Sequence, residues 1–224
     1  MYACSRTDQQ NPTEKPDQLV VKVCETRGEE SILQAARHEA TLLKKIDSRH
    51  VNRYIDFFED PLINKTYLVL ENAGEKSIKD LVEERTSEDG SYTNPEGPLV
   101  RTIMGQLFEA TEYLHKRYIC HRDLKPDNLI IGKDDKLDQM IIKLIDFNVA
   151  VEVSKTNPRI RGGTGLREWS APETYQSFYS DFKIDSWTLG CVMHYLCTGK
   201  QLFERGSNLE DSLDFDMTER LKDY

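Results

Sequence analysis

The sequence runs to 224 residues, enough for one large domain or two small lobes with a sizeable core. Hydrophobic residues make up 38% and charged residues 31%, with a formal net charge of −9; this is a globular balance that lacks the basic excess a nucleic-acid binder needs to displace counterions. The five cysteines are odd in number and form no C-x-x-C pair, which excludes an obvious zinc or disulfide framework and points to a reducing compartment.

The first residues, MYACSRTDQQ, show no basic stretch followed by an apolar one, so no signal peptide is expected. No apolar run approaches the ~20 residues that span a bilayer. The expected compartment is the cytoplasm or nucleus, with no nucleic-acid or membrane partner. Tyr2 to Ser5 reads as the tail of a strand, and Arg6 to Gln18, with Pro12 and Pro16, as a loop. Leu19 to Cys24 is β-branched and predicts a strand interrupted by Lys22. Glu29, Glu30 and Ser31 suit the start of a helix on which Leu33, Ala36, Ala40 and Leu43 recur at helical spacing. Tyr54 to Phe58 and Thr66 to Leu70 predict two strands around Asp60-Pro61, with Glu71 to Gly74 as a connector.

Beyond the connector the character changes. Arg85 to Pro98 reads as a polar insertion, followed by a long helix with Leu99, Ile103, Leu107, Ala110 and Leu114 on one face. Leu129 to Ile131 and Met140 to Ile145 are short apolar runs beside charged loops. A helix over about Asp185 to Cys197 is apolar around most of its circumference and is expected to be buried. The polar tail from Arg205 to Tyr224 shows no core element. A strand-rich first part and a helix-rich second part predict an α+β protein with two lobes joined near Glu71 to Gly74.

The strongest chemical signal is His121-Arg122-Asp123-Leu124-Lys125-Pro126-Asp127-Asn128, with Asp146-Phe147-Asn148 following an apolar run. Asp146 and Asn128 offer the hard oxygen ligands that Mg²⁺ prefers. Asp123 is placed to accept the proton of an attacking hydroxyl. It lies five residues before Asn128, so one rigid loop can hold base and metal ligand in fixed relation. Lys125, two residues past the base, supplies a point charge for a transferring phosphoryl group. Taken singly, each residue reads as a cap or a turn; their order and spacing make the combination specific.

This stretch resembles the catalytic loop of the protein kinase family, H-R-D-L-x-x-x-N. Ala171-Pro172-Glu173 stands 25 residues beyond Asp146, as the family's A-P-E segment does, and Asp185-Ser186-Trp187-Thr188-Leu189-Gly190 resembles the helix start whose Asp holds the catalytic loop from beneath. Leu19-Val20-Val21-Lys22 resembles V-A-I-K. The resemblance implies that Lys22 pairs with the ATP phosphates and that Glu39, 17 residues on, orients it. It further implies Leu70 as gatekeeper, the Glu71 carbonyl and Ala73 amide as adenine partners, and Val20 and Ile130 as the residues that sandwich the purine. Leu43, His121 and Phe147 would stack in a spine between the lobes. Arg122 would pair with a phosphate on the activation segment, where Ser154, Thr156 and Thr164 are candidate acceptors. His38, His50, His115 and His194 and the pair Asp134-Asp135 carry no motif and are expected in surface or satisfied core positions.

The implied fold is a two-lobed α+β kinase fold, with a small antiparallel lobe over residues 1–73 and a larger helical lobe over 74–224. The implied activity is transfer of the ATP γ-phosphoryl group, with Mg²⁺, to protein Ser or Thr hydroxyls, since Lys125 is the residue usual in Ser/Thr kinases. Three departures accompany it. No G-x-G-x-x-G precedes Lys22; Asn148 replaces the Gly of D-F-G, at a turn where φ > 0 is expected; and Leu166 falls where a Thr would touch Asp123 and Lys125, unless Thr164 replaces it. The partner of Glu173 would have to come from the atypical tail. These features lead to the expectation of a fragment, a truncated gene model or a degraded copy. They also motivate the alternative of a binding scaffold without catalysis. A small-molecule kinase of the same broad fold would lack the A-P-E segment.

Overall fold

The computed structural model describes residues 2–5, 18–134, 137–161, 167–176 and 179–203. Strands β1 (Tyr2–Ser5), β2 (Gln18–Glu25), β3 (Tyr54–Asp60) and β4 (Lys65–Glu71) form an antiparallel sheet in the order β1-β2-β4-β3. β4 alternates: Thr66, Leu68 and Leu70 are buried, while Lys65, Tyr67, Val69 and Glu71 are partly exposed. This is the period of two expected of a sheet with one covered face. The register sets Lys22 opposite Leu68 and Val20 opposite Leu70, so these four side chains project from the same face.

Helix α1 (Glu30–Leu43) packs on this sheet and buries Glu39, Ala40, Leu42 and Leu43. Of the predicted apolar stripe, Ala40 and Leu43 are buried and Leu33 and Ala36 only partly so. Glu29 occupies the N-cap without a side-chain cap bond, and Glu30 in the first turn complements the helix dipole.

After the connector, β5 (Lys76–Ser77) leads directly into α2 (Ile78–Glu83), a short helix that the apolar periodicity does not reveal. Its signal is a capping box: the Ser77 hydroxyl accepts from the Asp80 amide, and the Asp80 carboxylate accepts from the Ser77 amide. The long helix α3 (Gly97–His115) buries Ile103, Leu107, Ala110 and Leu114 as predicted. Gly97 and Pro98, expected in the insertion, form its first turn; proline fits there because the first amides of a helix need no intrahelical partner. Within the insertion Tyr92 is anchored, its hydroxyl donating to the Leu196 carbonyl at 2.7 Å.

Strands β6 (Ile119–Cys120), β7 (Leu129–Asp134) and β8 (Gln139–Leu144) follow. β5, β7 and β8 form one sheet, and β6 pairs with β9 (Val151–Glu152). β10 (Ile160–Arg161) pairs with β11 (Tyr179–Ser180), on either side of the short α4 (Glu173–Gln176). Helix α5 (Lys183–Thr198) stops at Gly199, whose φ of 71° is the left-handed cap. Its burial is one-sided: Ile184, Leu189, Val192 and Leu196 enter the core, while Met193 is 48% exposed. The tail beyond Phe203 and the segment 162–166, with Thr164 and Leu166, lie outside the described residues.

One apolar cluster runs from Leu42, Leu43, Leu68 and Leu70, through Phe147, Leu124, Leu129 and Leu144, to Leu107, Leu114, Leu189 and Val192. Burial of each large side chain contributes about 1.5–3 kcal/mol. The connector crosses this core edge under a tight backbone constraint. Gly74 has φ +143°, and a Cβ there would strike the Ile131 carbonyl, while a Cβ on Gly132 would strike the Ala73 carbonyl. The connector therefore lies directly on β7 at two positions that only glycine permits. Gly132→Val is expected to destabilise the fold by ~2 kcal/mol or more. Gly105→Ala, in α3 with open space around it, is expected to stabilise it by up to about 1 kcal/mol. Urea unfolding of both variants checks the opposite signs.

Candidate active site

The cleft chemistry begins with Lys22 on β2. Its Nζ donates to both oxygens of Glu39, at 2.9 and 3.0 Å, and to Asp146 Oδ1 at 2.6 Å. Glu39 reaches it because residue 39 lies on the buried side of α1, and Glu39 Oε1 also accepts from the Phe147 amide at 3.2 Å. Burial alone would lower the Lys22 pKa; the carboxylates of Glu39 and Asp146 outweigh it and raise the pKa, keeping the ammonium charged. Burial pushes the Glu39 carboxyl up, and Lys22 opposes that shift.

The loop 121–128 is held from beneath by Asp185. This buried carboxylate accepts from the amides of His121 at 3.0 Å and Arg122 at 2.8 Å, from His115 Nε2 at 2.8 Å and from the Cys120 thiol at 3.2 Å. Burial works against its charge, but these donors win and hold it below the usual carboxylate range. His115, Cys120 and Asp185 converge closely enough to suggest a metal. The hydrogen bonds that the imidazole, the thiol and the two amides make to one carboxylate make the trio an anchor for the loop. His115, which carried no motif, belongs to it.

Inside the loop, Asn128 Nδ2 donates to the carbonyl and to Oδ2 of Asp123, both at 2.8 Å, and Lys125 Nζ lies 2.8 Å from the same Oδ2. Among the described residues Asp123 Oδ1 takes no hydrogen bond. The β7–β8 pairing sets Leu129 opposite Leu144, and the Ile145 amide donates to the Asn128 carbonyl at 3.0 Å. Asn128 and Asp146 thus stand at adjacent ends of paired strands, which joins the loop carrying Asp123 to the turn that meets Lys22.

Two residues here adopt left-handed backbone, Arg122 at φ 70° and Asp146 at φ 64°, each at a cost of about 1–3 kcal/mol. The expected left-handed position was Asn148; it is Asp146 instead, and Asn148 is exposed with ordinary φ. Loss of the D-F-G glycine is therefore tolerated, because the turn does not demand positive φ at position 148. Arg122 is half-buried and donates to the Val149 carbonyl at 3.4 Å. Ser154 and Thr156 are exposed and share a 2.9 Å hydroxyl contact. Glu173 is partly exposed at the start of α4, and the tail expected to supply its partner lies outside the described residues.

The remaining positions line the route from β2 to the connector. Leu70 is buried beside Val20 and Ala73 is buried against β7, while Val20 and Ile130 are partly exposed. Leu43 and Phe147 are buried in the same cluster, and the rings of His121 and Phe147 meet edge-on at 4.6 Å. Glu71 Oε1 lies 2.5 Å from Lys143 Nζ, a partner that motif reading did not single out. The donor set fits Mg²⁺ and a triphosphate: hard oxygen donors of Asn128 and Asp146 on adjoining strand ends, with charged Lys22 against Asp146.

An antiparallel sheet with α1 on one side of the connector, a larger helical part on the other, and a lysine–carboxylate cluster beside a pinned loop give the two-lobed α+β fold of the kinase class. The protein kinase domain family matches residues 7–222, and the chain belongs to that family. Among its relatives are serine/threonine-protein kinase PLK1 of Xenopus laevis, 32% identical over 166 residues, and sperm motility kinase 2B of Mus musculus, 33% identical over 170. The stk11 homolog of Dictyostelium discoideum, a serine/threonine-protein kinase, is 31% identical over 186 residues. These matches cover 74%, 75% and 81% of this chain and 25%, 32% and 29% of the relatives. The chain thus matches about a quarter to a third of their length.

His121 links the site to pH. Its ring is fully buried; Nε2 donates to the Ile145 carbonyl at 3.2 Å and Nδ1 accepts from the Asp123 amide at 3.3 Å. That pattern requires the neutral tautomer, and burial lowers its pKa. The unfolded chain binds the proton near pH 6.5; the folded chain does so only at lower pH. The stability His121 contributes is therefore complete above about pH 6.5 and lost as pH falls through the folded pKa. Melting temperatures between about pH 5 and 8 should fall on the acid side, and His121→Phe should flatten that slope whatever its effect on absolute stability.

Proposed function

We propose that this chain transfers the γ-phosphoryl group of ATP to Ser or Thr hydroxyls of protein substrates. The observation that carries the reading is the convergence of Lys22, Glu39 and Asp146 within 3.0 Å on the strand end adjoining the Asp123–Asn128 loop. Lys22 holds the phosphates of the nucleotide, oriented by Glu39. Asn128 and Asp146 would hold Mg²⁺, which supplies charge neutralisation of the triphosphate when bound. Val20, Leu70 and Ile130 enclose the purine, and the main chain of Glu71 and Ala73 reads its edge.

Asp123 takes the proton of the substrate hydroxyl as its oxygen bonds to the γ-phosphorus and the bond to the departing ADP oxygen breaks. Asn128 and Lys125 fix Oδ2 of Asp123, which leaves Oδ1 for this role. Lys125 balances negative charge beside the base, and Arg122 orders the segment after Asp146. The choice of Ser/Thr over Tyr is supported by Lys125 and by the relatives, whose names include serine/threonine-protein kinases. The scaffold alternative draws no support from a site whose chemical groups converge.

Asp123→Asn is expected to lower kcat by ~10²–10⁴-fold while leaving Mg-ATP affinity nearly unchanged, because the variant keeps the loop's hydrogen bonds but not the base. Asp146→Ala should abolish labelling of a generic basic protein from γ-labelled ATP. Undiminished labelling by either variant would remove the assignment.

A further inference from the structure

Glu71 is held by its side chain as well as by the sheet. Its Oε1 accepts from the Arg53 amide at 2.9 Å and from Lys143 Nζ at 2.5 Å, its Oε2 lies 3.6 Å from Arg53 Nε, and its own amide donates to the Arg53 carbonyl at 3.0 Å. Lys143 and Glu71 are only 14% and 20% exposed at their side chains. Lys143 is the penultimate residue of β8, directly across from Ile130 on β7, and three residues before Asp146. The far end of the connector is pinned to the same ribbon, since Lys76 and Ser77 pair with Ile131 and Ile130. Between the two anchors, Ala73 and Gly74 rest on Gly132 and Ile131.

We infer that the Lys143–Glu71 ion pair is a clamp that positions the connector main chain for recognition of the adenine base. The inference rests on the nucleotide reading above and adds a positioning residue to it. Lys143 sits on the strand that also leads to Asp146, so it joins the element that would read the base to the element that would hold the metal. A pair this little exposed loses a large share of its hydration, and removing Lys143 leaves the Glu71 carboxylate with only its contacts to Arg53. The connector then moves relative to Ile130. The triphosphate contacts, made by Lys22 and the strand ends, remain.

The test is calorimetric titration of the full chain, as wild type and as Lys143→Met and Lys143→Arg, with Mg-ATP and separately with Mg-tripolyphosphate. Lys143→Met is expected to weaken ATP binding by about tenfold and to leave tripolyphosphate binding within about twofold of wild type. Lys143→Arg, which keeps the charge, should recover most of the ATP affinity. If Lys143→Met does not fold, Glu71→Gln breaks the same pair and carries the same expectation. Wild-type ATP affinity in Lys143→Met, or equal weakening of both ligands, would overturn the clamp while the nucleotide reading stands. A wild-type chain that binds neither ligand overturns both.

Discussion

The carboxylate of Asp185 is the constraint on which the site depends. It is almost fully buried, yet it is kept charged by two backbone amides, an imidazole and a thiol. A buried charge without such donors would protonate or unfold its surroundings. With them it holds the start of the 121–128 loop so firmly that Arg122 stays in left-handed backbone at φ 70°. The direction in which Asp123 leaves the loop follows from that backbone. Thr188, one turn along α5, extends the support by donating to the Trp169 carbonyl. One face of a single helix thus positions both the 121–128 loop and the turn that precedes Ala171.

Opposite this rigid floor stands the ion cluster of Lys22, Glu39 and Asp146. Its members come from a strand, a helix and a turn that are 17 and 124 residues apart from Lys22 in sequence. The cluster makes α1 and the Asp146 turn respond to one cation. Further links run in parallel: His38 Nε2 donates to the Ala150 carbonyl at 3.0 Å, and Lys45 pairs with Glu152 at 2.5 Å. Displacement of α1 would therefore break several contacts to the segment after Asp146 at once.

Local signals were legible wherever a residue's role depends on its neighbours in sequence. The period-two run of β4, the apolar face of α3 and the spacing of Asp123, Asn128 and Asp146 could all be read directly. The short α2 was missed because six residues carry too little apolar periodicity; its capping box was the available signal. The one-sided burial of α5 was missed for a different reason. A helix apolar on all sides does not state which side faces the core. Asn148 was expected to bear the positive φ because asparagine tolerates it, yet the strain falls on Asp146, where Lys22 and the Phe147–Glu39 contact over-determine the turn.

The sequence by itself determined the family, the order of the elements and the identity of the chemical side chains, because these rest on local spacing and on residue types that few other roles require. Only the tertiary structure decided that Asp185 gathers four donors, that Lys22 also reaches Asp146, and that Lys143 reaches Glu71. Those contacts join residues far apart in the chain, and a carboxylate in a sequence looks the same whether it meets water or a buried amide. Burial and strand register settle that difference, and both are properties of the folded whole.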